Sequence, residues 1–327
     1  MAKLRSGDVE KETRGRSALA RGAGVDVTAG YFIEQYRRRS FLDASLAKSS
    51  RERRDSTLKA ITKRWAGIES RDIRRISADD CRQWAASALR IGTGFVAPRA
   101  KTRRVGMSAS AFNKTVDALR AVFELARDAG VIYENPAASL QKVPLKKKRL
   151  ELPSIQEFEK LVQRVRTAGS RWSKDAADLV CFLAYSGARL REATAVKWRH
   201  VDESRGVITI PGSKSESSYR TIPLFPKLAS HLKAMRVGRE NETSDTAVLK
   251  VGECLPALRH ACQETGLKVL THHDLRHLFA TRCIESGVDI PTVSRWLGHS
   301  DGGALAMKTY GHLRQEHSIA AAAKVVF

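Results

Sequence analysis

The chain predicts a mainly α-helical protein of two domains, with one small antiparallel β-sheet in the C-terminal domain. Three observations carry this. Its 327 residues exceed one small domain and fit two. Apolar residues recur at three- and four-residue spacing along most of its length. Only two short β-prone runs stand out, Val207-Ile208-Thr209-Ile210 and Tyr219 to Leu224, and they flank one polar turn as a hairpin does.

Residues 1–25 are charged, contain glycine and hold few large apolar residues, so they read as a flexible N-terminal arm. A helical domain over 26–143 follows. Tyr31, Phe32, Tyr36 and Phe41 give the apolar positions of a basic first helix. A second runs from about Ser56 to Trp65 on Leu58, Ile61 and Trp65. Ser77-Ala78-Asp79-Asp80 starts a third with an acidic first turn, and Cys81, Trp84 and Leu89 are its apolar face. Residues 91–106 hold Gly92, Gly94 and Pro98 with Arg99, Lys101, Arg103 and Arg104, a loop whose charge suits phosphates. Phe112, Val116, Leu119, Phe123 and Ala126 mark the strongest helix of this half, ended by Gly130. Asn113 and Lys114 near its start join the basic loop as candidate DNA contacts.

Residues 144–153 form a basic linker. Lys146, Lys147 and Lys148 beside Pro144 lack any apolar period and suit a strap across a phosphate backbone. A second domain, expected to be catalytic, spans 154–327. Ser154-Ile155-Gln156-Glu157 is a capping box, and Phe158, Leu161, Val162 and Val165 give the face of its helix. Ala177 to Ala184 is apolar with one aspartate, a buried helix. The hairpin comes next, and helices resume near Phe225. A C-terminal tail from about residue 312 ends in a short helix with an apolar tip, Ala320 to Phe327.

Lys and Arg number 58 against 35 Asp and Glu, a net charge of +23. A surplus of this size points to a polyanion partner, nucleic acid above all. Membrane-surface attraction competes, but no lipidation motif or strongly amphipathic basic helix accompanies the charge. No apolar run nears the roughly 18 residues of a spanning helix, so no membrane partner is expected. The N-terminus lacks the apolar core of a signal peptide, which predicts a cytoplasmic protein. The five cysteines are scattered and none forms a Cys-x-x-Cys pair, so neither disulfides nor a structural zinc site is expected.

Five separated pieces of the second half can together act on a phosphodiester: Arg189, Lys214, His273 with Arg276, His299, and Tyr310. Each alone has an ordinary structural explanation; their joint occurrence in one order points to chemistry. Arg189 follows Gly187, whose missing side chain allows close approach of the backbone to a ligand. Glu192, one turn later, can orient it. Arg276 lies three residues after His273, on the same helix face. Two guanidinium forks can hold both non-bridging oxygens and stabilise a pentavalent transition state. Lys214 can reach a leaving oxygen as general acid, and Tyr310 can attack phosphorus.

These motifs resemble the tyrosine recombinase, or phage integrase, family. Ser186-Gly187-Ala188-Arg189-Leu190-Arg191-Glu192 looks like its first arginine box, and Gly212-Ser213-Lys214 through Arg220-Thr221-Ile222-Pro223-Leu224 like its lysine hairpin. His273-Asp274-Leu275-Arg276-His277 looks like the second box, and Leu297-Gly298-His299 with Thr309-Tyr310 like the third. Residues 26–143 are similar in layout to the family's core-binding domain. The resemblance implies a two-domain, C-shaped DNA clamp acting as a site-specific recombinase or integrase. Tyr310 would form a 3′-phosphotyrosine link, with no metal, ATP or other cofactor. Arg189 and Arg276 would clamp the phosphate, Lys214 would protonate the leaving 5′ oxygen, and His273 and His299 would assist. A homo-tetramer would assemble on DNA from monomers or weak oligomers, with accessory DNA-bending or directionality factors as possible partners. The tail would pack on a neighbouring protomer.

Two departures stand out. Tyr310 follows His299 by 11 residues, more than the family's usual interval, and Asp301-Gly302-Gly303-Ala304 is a loop signal that accounts for the excess. The turn after Lys214 is long and serine-rich, which leaves Lys197 as a weaker candidate for the acid. A type IB topoisomerase and a catalytically silent DNA-binding regulator are the alternatives. A metal-dependent nuclease would need clustered carboxylates, and only Asp274 and Asp301 lie near the motifs.

Overall fold

The computed structural model describes residues 27–90, 106–145, 151–212, 219–299 and Met307. The chain divides into two units between Lys147 and Lys148.

In the first unit, Thr28 opens α1 (Ala29–Leu42) by accepting the Tyr31 amide at 3.2 Å. Phe32 and Ile33 are among its buried residues, while Phe41, expected on the apolar face, is 50% exposed. Helix α2 (Lys48–Arg64) starts eight residues before the expected Ser56. Its first turns are charged and carry no apolar signal, and its Asp55 is paired with Arg37 of α1 and with Lys59. Helix α3 (Ala78–Arg90) opens where Ser77 and Asp80 cap each other. Helix α4 (Ala109–Asp128) is the core of the unit: Phe112, Val116, Leu119, Phe123 and Ala126 are all buried, as their spacing predicts. Trp84 stacks between Trp65, 5.5 Å away, and Phe112, 6.2 Å away.

The segment after α4 is laid back along that helix by two side chains. Arg120 donates to the carbonyls of Ala137, Ala138 and Leu140. Asn113 donates its amide to the Val143 carbonyl and accepts the Val143 amide, both at 2.8 Å. Its carboxamide therefore serves the backbone of the returning segment. Lys114 is exposed. Arg99, Lys101, Arg103, Arg104 and Lys146 to Lys148 lie outside the described residues, as does the N-terminal arm.

In the second unit, α5 (Ile155–Arg166) begins at the Ser154–Glu157 capping box and buries Phe158, Leu161 and Val165. Helix α6 (Ser173–Ser186) is buried on nearly every side and forms the centre of the core. A four-residue helix, α7 (Leu190–Ala193), follows. The expected hairpin is β2 (Val207–Ile210) and β3 (Arg220–Pro223), paired antiparallel with Ile210 opposite Arg220 and Ile208 opposite Ile222. A third strand, β1 (Val201–Asp202), pairs with β2. Two residues are too few to show a period, so this strand has no sequence signal. Helices α8 (Pro226–Arg236), α9 (Leu255–Glu264), α10 (His272–Glu285) and α11 (Ile290–Leu297) complete the described part. Phe279 of α10 and Trp296 of α11 both pack edge-on against Phe225, which fixes the α10–α11 corner. No helix among the described residues is long and apolar enough to cross a membrane.

Candidate active site

Helix α6 ends at Gly187, whose φ of 64° turns the chain left-handed and sends Arg189 out of the core. A side chain would not fit: a Cβ built there lies 2.4 Å from the Phe279 ring. Arg189 then sits at the N-cap of α7, where Glu192 reaches back to it. The Arg189 amide donates to Glu192 Oε2 at 2.9 Å and its Nη1 to Oε1 at 2.7 Å. The carboxylate is fully buried, while the Arg189 side chain is 41% exposed. Glu192 thus holds the arginine from behind and leaves guanidinium donors facing outward. Burial pushes the Glu192 carboxyl up, but the Arg189 amide and the charges of Arg220 and Arg189 outweigh it, so its pKa falls below the ordinary value.

Helix α10 opens with Thr271 and Asp274 capping each other, Thr271 donating to Asp274 Oδ2 at 2.8 Å from both its amide and its hydroxyl. Asp274 is therefore a helix cap. His273, in the first turn, meets the His277 ring edge-on at 4.6 Å. Arg276, one turn on, is only 3% exposed. Its Nη1 donates to the Gly187 carbonyl at 2.7 Å and its Nη2 to the Leu297 carbonyl at 2.5 Å. Both carbonyls stand at helix C-termini, those of α6 and α11. The carbonyls that a helix end leaves over, and the negative end of its dipole, offset the cost of burying the charge.

Helix α11 closes at Gly298, φ 65°, with the His299 amide donating to the Ser294 carbonyl at 3.1 Å. His299 thus leaves a helix end that Arg276 already grips. The fold brings Arg189, Arg276 and His299 to one place through the backbone links Gly187–Arg276–Leu297. His273 shares the helix of Arg276. Lys214 and Tyr310 lie outside the described residues. Lys197, the weaker candidate for the acid, donates to Asp245 Oδ2 at 2.6 Å, beside Arg199 on the same carboxylate.

One further residue joins the candidate site; it lies in the lysine-hairpin motif, but the motif alone does not mark its role there. Arg220 is 8% exposed on β3. Its Nη2 donates to Glu192 Oε2 at 3.1 Å and its Nε to the Trp296 carbonyl. The available signal is strand alternation: Arg220 takes the same inward side as Ile222, while Thr221 and Pro223 face out. A charge on the inward side of a strand demands buried partners.

Among the described residues, Glu253, Cys254 and His272 place donor atoms within 4.8 Å of one another. Glu253 Oε1 already accepts the Cys254 amide at 2.8 Å and the Leu255 amide at 2.6 Å. That is the work of a cap on α9.

A family model described as the phage integrase family matches residues 154–317. The tyrosine recombinase XerC of Xanthomonas axonopodis pv. citri is 28% identical over 228 residues, 67% of this chain and 72% of the relative. The tyrosine recombinase XerA of Thermococcus kodakarensis is 31% identical over 212 residues, 62% of this chain and 71% of the relative. Among solved structures, a lambda integrase dimer bound to a COC′ core site is similar with a TM-score of 0.68 at 17% identity, covering 94% of this chain and 81% of that one. A lambda integrase tetramer bound to a Holliday junction has a TM-score of 0.65 at 16% identity, covering 93% and 90%. At these identities the solved structures establish the fold.

Proposed function

The chain belongs to the phage integrase family of tyrosine recombinases, and from that premise we propose that it cuts and rejoins DNA strands at specific sites through Tyr310. The observation that carries this reading is the buried Arg276 guanidinium, which ties the Arg189 turn to the His299 turn. Two arginines and a histidine from distant segments converge there, and a phosphodiester fits their charge and donors.

In the proposed reaction the Tyr310 oxygen attacks phosphorus while the bond to the 5′ oxygen breaks. The phenolic proton is lost to a base, with His273 well placed in sequence for that role, and Lys214 delivers a proton to the leaving oxygen. Arg189, Arg276 and His299 hold the non-bridging oxygens, whose negative charge concentrates in the transition state. The bond energy stays in the 3′-phosphotyrosine, so a 5′ hydroxyl from a partner strand can reverse the step without ATP. The helical unit and the basic segments grip the DNA backbone, and the net charge of +23 supports this. Four copies acting on two duplexes would complete an exchange; the solved lambda integrase tetramer on a Holliday junction supports that assembly. Accessory DNA-bending factors and a cytoplasmic, nucleoid-associated setting complete the proposal.

A duplex nicked beside the scissile phosphate tests it, because the freed short strand diffuses away and traps the covalent complex. The wild type should accumulate this complex at its cognate site, and Tyr310→Phe should form none. A complex that persists in Tyr310→Phe, or none with the wild type across candidate sites, refutes the assignment. Relaxation of supercoils without exchanged product would point to a topoisomerase instead.

A further inference from the structure

We infer that Arg220 is a positioning residue that sets Arg189 and His299 in register with each other. The inference rests on the proposed phosphate-binding roles of those two residues. Arg220 Nη2 bonds the carboxylate that holds Arg189, and its Nε bonds the carbonyl of Trp296, three residues before His299. One rigid, planar group therefore joins two pieces of the site that are otherwise far apart in sequence.

The chemistry of the position supports more than a packing role. The inward neighbour on β3 is Ile222, and Ile210 lies opposite on β2. A third aliphatic residue would fill such a place without the cost of burying an ion. Here Glu192 is fully buried and carries two arginines, Arg189 on Oε1 and Arg220 on Oε2. Without Arg220, Glu192 loses one of these cations and the last turn of α11 loses a donor. The link between Arg189 and His299 then rests on Arg276, and both side chains gain room to shift. Arginine suits the position because its fork addresses two acceptors in fixed directions, which an ammonium cannot do.

The test compares Arg220→Met and Arg220→Lys with the wild type in single-turnover trapping on the nicked duplex. Displacement of a reacting group by about 1 Å costs roughly 100-fold in rate. Arg220→Met should therefore trap complex about 100-fold more slowly, with DNA affinity within about threefold and a cooperative unfolding transition. Arg220→Lys, which keeps the charge and one bond, should recover part of the rate. In the Glu192→Gln background the Arg220→Met change should cost less than in the wild type, because the part of its effect that reaches Arg189 through the shared carboxylate is already lost. A readout without turnover accompanies these. With ¹⁵N-histidine labelling, the His299 ring resonances should move in Arg220→Met while those of the exposed His260 stay put. Trapping within about threefold of wild type, an unmoved His299 resonance, or fully multiplicative effects of the two substitutions overturns the inference. So does a rate loss equal to the unfolded fraction. Absence of a covalent complex with the wild type refutes the phosphotyrosine reading instead, and the His299 resonances then still decide the role of Arg220.

Discussion

Replacing Gly187 by alanine tests the geometry at its tightest point. The residue has a φ of 64°, where an L-side chain costs about 1–2 kcal/mol. The added Cβ would stand 2.4 Å from Phe279 Cδ1 and 2.9 Å from two more ring atoms. Phe279 is buried and its ring is braced by Phe225 at 5.3 Å, so it has little room to withdraw. Overpacking of this kind costs about 1–3 kcal/mol more, for a total of about 2–5 kcal/mol. Gly206 supplies the control: its φ is 63°, but a Cβ added there would meet nothing within 4 Å, so Gly206→Ala should carry the backbone cost alone. Urea unfolding of the three proteins measures both terms. The Phe279→Leu background should shrink the Gly187→Ala penalty, giving a coupling of about 0.5–3 kcal/mol. Because the Gly187 carbonyl accepts from Arg276, trapping of the covalent complex should fall by more than the loss of folded protein explains. A Gly187→Ala protein no less stable than Gly206→Ala would refute the steric argument.

Other expectations follow from the same contacts. Arg276→Gln removes the fork between two helix ends and should slow single-turnover trapping by about 100- to 1000-fold, the size seen when one transition-state donor is lost; anisotropy should show DNA binding largely retained. Glu192 has a folded pKa below its ordinary 4.5, so its contribution to stability is present above that value and is lost as pH falls through the lower folded one. Urea midpoints of wild type and Glu192→Gln should therefore differ by a constant amount at neutral pH and converge in acid. Asn113→Ala breaks both bonds to Val143 and should cost about 1–3 kcal/mol of stability in the first unit with an unchanged salt slope of DNA binding. Lys114→Ala should do the reverse, lowering that slope by about one.

Where burial follows a local period, the sequence is legible. The stripe from Phe112 to Ala126 marks α4, and the Ser154–Glu157 box marks the start of α5 to the residue. Where an element is held by charge, the period is silent. The first turns of α2 are ion-paired and polar, so apolar spacing places its start too late. Asn113 reads as a polar residue near a basic loop, and only the return of the chain at Val143 reveals what its amide is for. In the site, the arginine and histidine motifs are visible because their neighbours in sequence form extended patterns. Arg220 stands in such a pattern too, but its role escapes the reading because its partners, Glu192 and Trp296, are not its neighbours.

Local sequence alone set the composition of the candidate site and the helices that carry it: Arg189 after a glycine turn, Arg276 one turn after His273, and His299 after Gly298. Those are short-range facts, set by spacing and by conformations that few residues adopt. Tertiary structure alone decided how the pieces are joined. Arg276 reaches a carbonyl 89 residues away and Arg220 one 76 residues away. Backbone carbonyls at helix ends look the same in every sequence, so no pattern announces which arginine will find them. Only packing of α6, α10, α11 and β3 brings those ends within reach, and the cost of burying a charge then selects the arrangement in which each guanidinium is held.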